Sequence, residues 1–430
     1  MMRAIDNEGR PDPLWRGALA TGFAGLTVGL GLGAVALLRP EGLGVAPVLA
    51  SSPLHLQAML LILCGCVPLA LGLTWESARL EAPSLMRVRP WVLGGVVLSA
   101  AGGGLAIIAN WLVVTGYTSD VIGLLPGLVW LGVAFCYVSA VYPLSGSGSV
   151  GLSGRLLLRS SCLWLAAAAA SQFSWIAGRV FLDNPKIMWF VERPTIEVGL
   201  LGFVALASLG LMLAALPTAV NHRNLIQALL RSHHAANGLI FGWGSLQTWS
   251  LRYPGGYQNL VLALVALGIV IVVAVVAVNS GLLDRWQALW DGTHSDDRLR
   301  SVLAVLAMGF FVALAVLLAI TAFAAAAAGR IPPPELLESC LLAVAVGMSS
   351  ACALVLTSCF MRDVPQVTSL GAAATTAGVV MAMLLVIMSI PVERSLADLI
   401  GGSYLLAMAG LAALALSSLP WRRVSVGRQL

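Results

Sequence analysis

The stretch SPLHLQAMLLILCGCVPLALGLTW, residues 52–75, decides the fold. From Leu54 to Trp75 it contains no Asp, Glu, Lys or Arg. As a helix rising ~1.5 Å per residue, about 20 such residues cross the roughly 30 Å of hydrocarbon in a bilayer. Runs of this kind recur along the whole chain with no soluble domain between them. A chain of 430 residues that is 59% hydrophobic and 10% charged, with a mean hydropathy of +0.93, lies far outside the range of a soluble domain. In lipid every backbone polar group must be satisfied within the protein, and apolar runs this long do so as helices. The expected fold class is therefore all-α. It is a polytopic transmembrane helical bundle, one integral membrane domain over residues 1–430, with the lipid bilayer as its surroundings.

Twelve spans are predicted, at 16–38, 53–75, 91–115, 121–143, 157–181, 196–217, 227–251, 257–279, 301–327, 335–360, 367–390 and 397–419. The first follows a mixed-charge segment, MMRAIDNEGRPDPLWR, and lacks a small-residue cleavage site, so it is read as a retained span and not a signal peptide. Cytoplasmic loops keep an excess of Lys and Arg. Most of the 24 Lys and Arg residues fall in segments sharing a side with the N-terminus, including Arg79, Arg87, Arg89, Arg285, Arg298 and Arg300. Both termini are thus predicted cytoplasmic, in a multi-pass protein of the cell membrane. The net charge of +5 follows from this distribution and requires no nucleic acid partner. WRRVSVGRQL at the C-terminus reads as a solvated tail.

The seven cysteines, Cys64, Cys66, Cys136, Cys162, Cys340, Cys352 and Cys359, all fall inside predicted spans, where they act as small apolar side chains and disulfides are not expected. No zinc spacing, phosphate-binding loop, dinucleotide fingerprint or nucleophile elbow occurs. Gly-rich pieces such as GLTVGLGLGAVALL (25–38) and SAAGGGLAIIAN (99–110) lie within spans, as does AITAFAAAAAG (319–329). Close helix packing through small residues accounts for them. Pro68, in mid-span, is a candidate kink.

Polar groups inside a bilayer are costly, and each is a functional candidate. His55 opens the second span; Met59 lies one turn on, on the same face, with Cys66 on about the same side two turns further. Imidazole and thioether suit haem iron or copper; an interfacial histidine beside Pro53 is the alternative. His222, His233 and His234 lie at the inner end of the seventh span. His233 and His234 point about 100° apart on a helix. His234, which leads into GLIFGWGSLQTWS, is placed inward, and both remain candidate metal ligands beside the alternative of two interfacial histidines near Arg231. His294 reads as a loop residue. Asn110, Trp130, Gln172 and Gln247 lie deeper, where a macrocycle or quinone would use them or where helices hydrogen-bond to one another. No Asp or Glu falls at mid-membrane depth, which weighs against a proton-coupled transporter.

Three segments share a spacing of 20 positions from first residue to final Trp or Pro: HLQAMLLILCGCVPLALGLTW (55–75), EVGLLGFVALASLGLMLAALP (197–217) and HAANGLIFGWGSLQTWSLRYP (234–254). A weaker echo is AVAVGMSSACALVLTSCFMRDVP (343–365). The spacing suggests a repeated helix unit. With twelve spans and a histidine opening the second, the chain resembles the NnrS family of haem- and copper-associated membrane proteins, and more distantly haem–copper oxidase subunit I. The resemblance implies bound haem, with copper as a further candidate, a role in nitric oxide or redox physiology, and His55, Met59 and His234 at the cofactor. The predicted tenth span has no histidine and no His-x-His occurs, so an oxygen-reducing dinuclear centre is not expected. Two other readings stay open. One is a structural or assembly subunit of a respiratory membrane complex or homo-oligomer; the other is a transporter of a neutral or apolar solute through a cavity lined by Asn110, Gln172, Gln247 and tryptophans.

Overall fold

A computed structural model describes residues 13–38, 54–79, 83–114, 124–145, 152–181, 198–215, 345–356, 366–389 and 397–419, with single positions at 227, 230, 231, 234, 309 and 342. Among them there is no strand. The helices are α1 (Pro13–Leu38), α2 (Leu54–Arg79), α3 (Arg89–Val114, entered through a 3₁₀ turn at Pro83–Val88), α4 (Leu124–Leu144) and α5 (Leu152–Phe181). A π-helical turn at Val198–Val204 leads into α6 (Ala205–Ala215); then come α7 (345–356), α8 (Gln366–Ser389) and α9 (Ala397–Ser418). Each falls on a predicted span. The predicted spans at 257–279 and 301–327 and most of 227–251 lie outside the described residues, as do His222, His294 and the 319–329 run.

Five helical segments are long and apolar enough to cross a membrane: Pro13–Val35, Met86–Ile108, Leu124–Leu144, Gly154–Ser174 and Asp398–Ser418. Their outer faces are as apolar as their inner ones. Leu93, Val97 and Ile108 on α3, Leu128 and Phe135 on α4, and Leu370, Met381 and Leu384 on α8 are all exposed. Exposed apolar side chains of this kind along long apolar helices are what lipid tails require and what water would penalise. The chain is a membrane-embedded helical protein.

Neighbouring helices in sequence pack antiparallel, and glycines set how closely they approach. At the α1–α2 crossing, a Cβ on Gly65 would lie 2.7 Å from the Gly22 carbonyl oxygen and 2.8 Å from the Leu26 nitrogen. Backbone there rests on backbone, the closest approach two helices can make. At the α8–α9 crossing Gly378 meets the Ala407 backbone and Gly410 meets Thr375. The last helix also returns to the first. Gly31 meets Met408, Gly33 meets Tyr404, and Gly401 meets Leu38. Positions rise along α1 as they fall along α9, so these two run antiparallel, and the start of α1 and the end of α9 lie at one end of the bundle.

The repeated segments occupy a distinct place. Every residue of α2 from Leu61 to Glu76 is buried, as are 202–212 in the π turn and α6, and 345–355 in α7. The three helices carrying the 55–75, 197–217 and 343–365 patterns thus form the interior, while the half-exposed helices surround them. Leu63 of α2 lies against Gly199 of the π turn, and Ser208 of α6 donates to the Met348 sulfur of α7 at 3.4 Å. In the sequence these are the second, sixth and tenth predicted spans, four apart. Over these residues none of the three shows an exposed stripe.

Pro68 sits within this interior, and α2 continues through it. Proline has no N–H, so the carbonyl of residue 64, four positions back, loses its helical donor. The Ser99 hydroxyl of α3 donates to that Cys64 oxygen at 2.6 Å. An unmet carbonyl in an apolar interior is costly, and neighbouring hydroxyls are a usual remedy in membrane helices. Ser99→Ala is expected to destabilise the protein by about 1 kcal/mol in the native background. In a Pro68→Ala background, where residue 68 regains its own N–H, the same change should cost almost nothing. Reversible unfolding in mixed micelles of the two single variants and the double variant reads the coupling; equal costs in both backgrounds would mean that Ser99 serves another purpose.

Candidate functional site

The adjoining ends of α4 and α5 show how this fold treats a charge at a helix end. Arg159 donates through Nε to the Ser145 hydroxyl at 3.0 Å, and its guanidinium carbon sits 4.5 Å from the centre of the Tyr142 ring. The cation reaches the helix ends and lies over an aromatic face, as a snorkelling arginine does. About half a turn further into α5, and one and a half turns back along α4, the chemistry changes. Tyr137 and Ser161 share a buried hydrogen bond of 3.0 Å, and Ser161 donates back to the Leu158 carbonyl. The Phe203 ring of the π turn meets Tyr137 edge to face, with centroids 5.2 Å apart.

Above that lies LWLAAAAASQF, residues 163–173, whose alanines let the π turn come close. Gly202 rests directly on Trp164: a Cβ there would lie 2.7 Å from both Cβ and Cγ of the tryptophan. π turns widen a helix locally and recur where a site is being shaped. Here the wide turn and the missing side chain together seat one indole. Trp164 donates from Nε1 to Nδ1 of His234 at 2.7 Å, and the two rings lie 5.5 Å apart, tilted by 30°. Leu230, one turn earlier on the histidine's helix, is buried and Arg231 is exposed. The structure thus turns His234 toward the bundle, as its position before GLIFGWGSLQTWS suggested.

The hydrogen bond fixes the chemistry of that imidazole. A neutral imidazole has one N–H and one lone-pair nitrogen. With Nδ1 accepting from the indole, the proton resides on Nε2. Coordination of iron or copper through Nε2 needs the lone pair there and the proton on Nδ1, which would set N–H against N–H at Trp164. In this arrangement His234 does not fit a metal ligand; it fits a hydrogen-bond donor. His233 lies outside the described residues.

His55 and Met59 belong to the described helix α2, whose register places them on a line with Ile62 and Cys66. Cys66 is fully buried. At Ile62 and Cys66 that line is buried, and it is distinct from the positions that meet α1 at Gly65 and α3 at Leu61 and Cys64. At Leu61 α2 meets α3 closely: a Cβ on Gly103 would sit 3.2 Å from the Leu61 side chain. Ala168 and Leu63 both flank Gly199, and Trp164 lies one turn inward of Ala168. His234 thus meets the bundle near the level of residue 67 of α2, roughly 18 Å below His55 at ~1.5 Å per residue. The two histidines belong to different levels of the membrane.

The remaining candidates divide in the same way. Gln172 and Trp130 are buried, each 3% exposed, and among the described residues Nε1 of Trp130 has no hydrogen-bond partner. Thr375 and Thr376 donate to carbonyls in their own helix, at Gly371 and Ala372, and so serve helix packing. The side chains of Asn110 and Gln247 lie outside the described residues. Cys64, Cys66, Cys136, Cys162 and Cys352 are buried free thiols. Among the described residues no group of three or more His, Cys, Asp and Glu side chains is placed to hold a metal ion. Sequence reasoning passed over Trp164, Ser99 and Glu76, the last a carboxylate 1% exposed at the inner end of α2. For Ser99 a signal existed in Pro68, whose missing N–H demands a donor; for Trp164 it lay in a lone indole within an alanine run. No family model matches this chain, and no curated protein matches it either.

Proposed function

We propose that this chain is an NnrS-like, twelve-span protein of the cell membrane, with both termini cytoplasmic, that binds haem within the bundle and acts in nitric oxide or redox physiology. The observation that carries the reading is the place of α2. The helix bearing His55 and Met59 is one of three interior helices, and the line on which both stand continues at Ile62 and Cys66, which are buried. An imidazole at that register would be suited to hold haem iron. Haem, when bound, supplies a redox-active iron with affinity for nitric oxide. The chain's own contribution is an apolar, water-poor wall of α2, α6 and α7 and the thioether of Met59 one turn from the imidazole. The soft donors Met59 and Cys66 on that line also make copper the second metal to assay.

An absorption spectrum of the detergent-purified protein, oxidised and then reduced with dithionite, tests the reading, with haem quantified as its pyridine adduct and copper by elemental analysis. A stoichiometric Soret band that shifts on reduction and on adding nitric oxide is expected. A colourless protein from cells supplied with haem precursor would overturn it in favour of an assembly subunit or a carrier of neutral solutes. A reporter fused after Leu430 should be active only in the cytoplasm; activity on the far side would overturn the orientation.

A further inference from the structure

We infer that Trp164 is a positioning residue that holds His234 as the neutral Nε2–H tautomer, making His234 a hydrogen-bond donor inside the bundle and not a metal ligand. Three independent features converge on this pair. The indole N–H meets Nδ1 at 2.7 Å. The indole itself is held by a glycine at position 202 that no side-chain-bearing residue would replace without moving it. That glycine lies in a π turn, Val198–Val204, which breaks the regular α repeat at the level where Trp164 sits. A histidine wanted only for packing needs none of these.

The consequence is directional. Nδ1 is occupied by a donor, so the remaining nitrogen offers a proton and takes none. What His234 recognises is a group with an unshared pair, such as a carbonyl or other uncharged oxygen. A divalent or monovalent metal ion presents the opposite requirement. The tautomer does not depend on the haem reading, because it is set by protein groups alone.

The test is nitrogen NMR of ¹⁵N-histidine, ¹⁵N-tryptophan-labelled full-length protein in lipid nanodiscs, with the His234 signals identified by their loss in His234→Gln. In the native protein Nδ1 should resonate as an unprotonated, hydrogen-bonded nitrogen, Nε2 should carry the proton, and a through-bond coupling should link Nδ1 to one tryptophan Nε1. In Trp164→Phe the coupling should vanish and His234 should become a mixture of both tautomers. Gly202→Val should give the same spectrum with the tryptophan still present, because its side chain displaces the indole. A proton on Nδ1 in the native protein, or a His234 spectrum unchanged in Trp164→Phe, would overturn the inference. Should a variant fail to fold, the coupling in the native protein alone decides the question.

Discussion

Replacing Gly65 with leucine is expected to leave little or no folded protein. The α1–α2 crossing is made by backbone: Gly25 and Gly22 on one helix face Gly65 on the other, and a Cβ at 65 would lie under 3 Å from a carbonyl oxygen and an amide nitrogen. A side chain can turn aside, but a helix backbone cannot. Overpacking in an adaptable core costs about 1–3 kcal/mol; here the helices must separate along their whole contact, and the interior helix α2 moves with them. Even Gly65→Ala should lower the unfolding midpoint sharply. Gly104 on α3 is the control, since a Cβ there meets nothing within 4 Å. Gly104→Ala should be neutral or stabilise by roughly 0.5–1 kcal/mol, the helix-propensity difference. Yields of monodisperse protein on gel filtration, compared across the three variants, check both. Full yield of Gly65→Leu would mean that α1 does not contact α2 as described.

The difference between Gly65 and Gly104 was not legible in the sequence, although the crossings themselves were. GLTVGLGLGAVALL and SAAGGGLAIIAN both read as packing surfaces, and Gly25, Gly31, Gly33, Gly102 and Gly103 all lie against neighbours. Which glycine of a run touches backbone depends on helix rotation, and hydropathy says little about rotation when lipid and protein interior are equally apolar. In water a polar stripe would have marked the outer face. The positions of the described helices were legible for the opposite reason: bilayer thickness imposes a length, and length is visible without knowing rotation. Two of the three segments with the 20-position spacing, 55–75 and 197–217, fall on α2 and α6, and the weaker echo at 343–365 falls on α7; all three helices are buried over their described central residues, and the third segment, 234–254, lies outside the described residues apart from His234.

The site was legible by half. His234 stood out as a polar residue in an apolar run, and its inward direction followed from what comes after it. Its partner did not stand out, because Trp164 is 70 positions away and tryptophans in membrane proteins usually mark the interface. Only the packing of α5 on the π turn brings the indole to the imidazole. Metal-ligand chemistry is assigned in sequence by residue type alone, whereas the lone pair that decides it belongs to a tautomer, and the tautomer belongs to the neighbour.

That distinction gives the sharpest pair of variants. His55→Ala is expected to remove the haem entirely while leaving the fold intact, and His234→Ala is expected to retain stoichiometric haem. The two residues lie roughly 18 Å apart in depth, farther than the axial positions of one iron allow. Nδ1 of His234 already accepts from Trp164, so the iron has no lone pair to take at Nε2. His55 stands near the start of α2, with Met59 one turn on in the same helix. Met59→Leu should therefore keep haem bound but change its reduced spectrum if the thioether approaches the iron. Haem per polypeptide, measured as the pyridine adduct on monodisperse fractions, separates the cases. Full haem in His55→Ala with none in His234→Ala would move the iron to the level of Trp164 and require that the indole hydrogen bond be broken when haem enters. In that event the native protein stripped of haem should show the Trp164 coupling and the loaded protein should lack it.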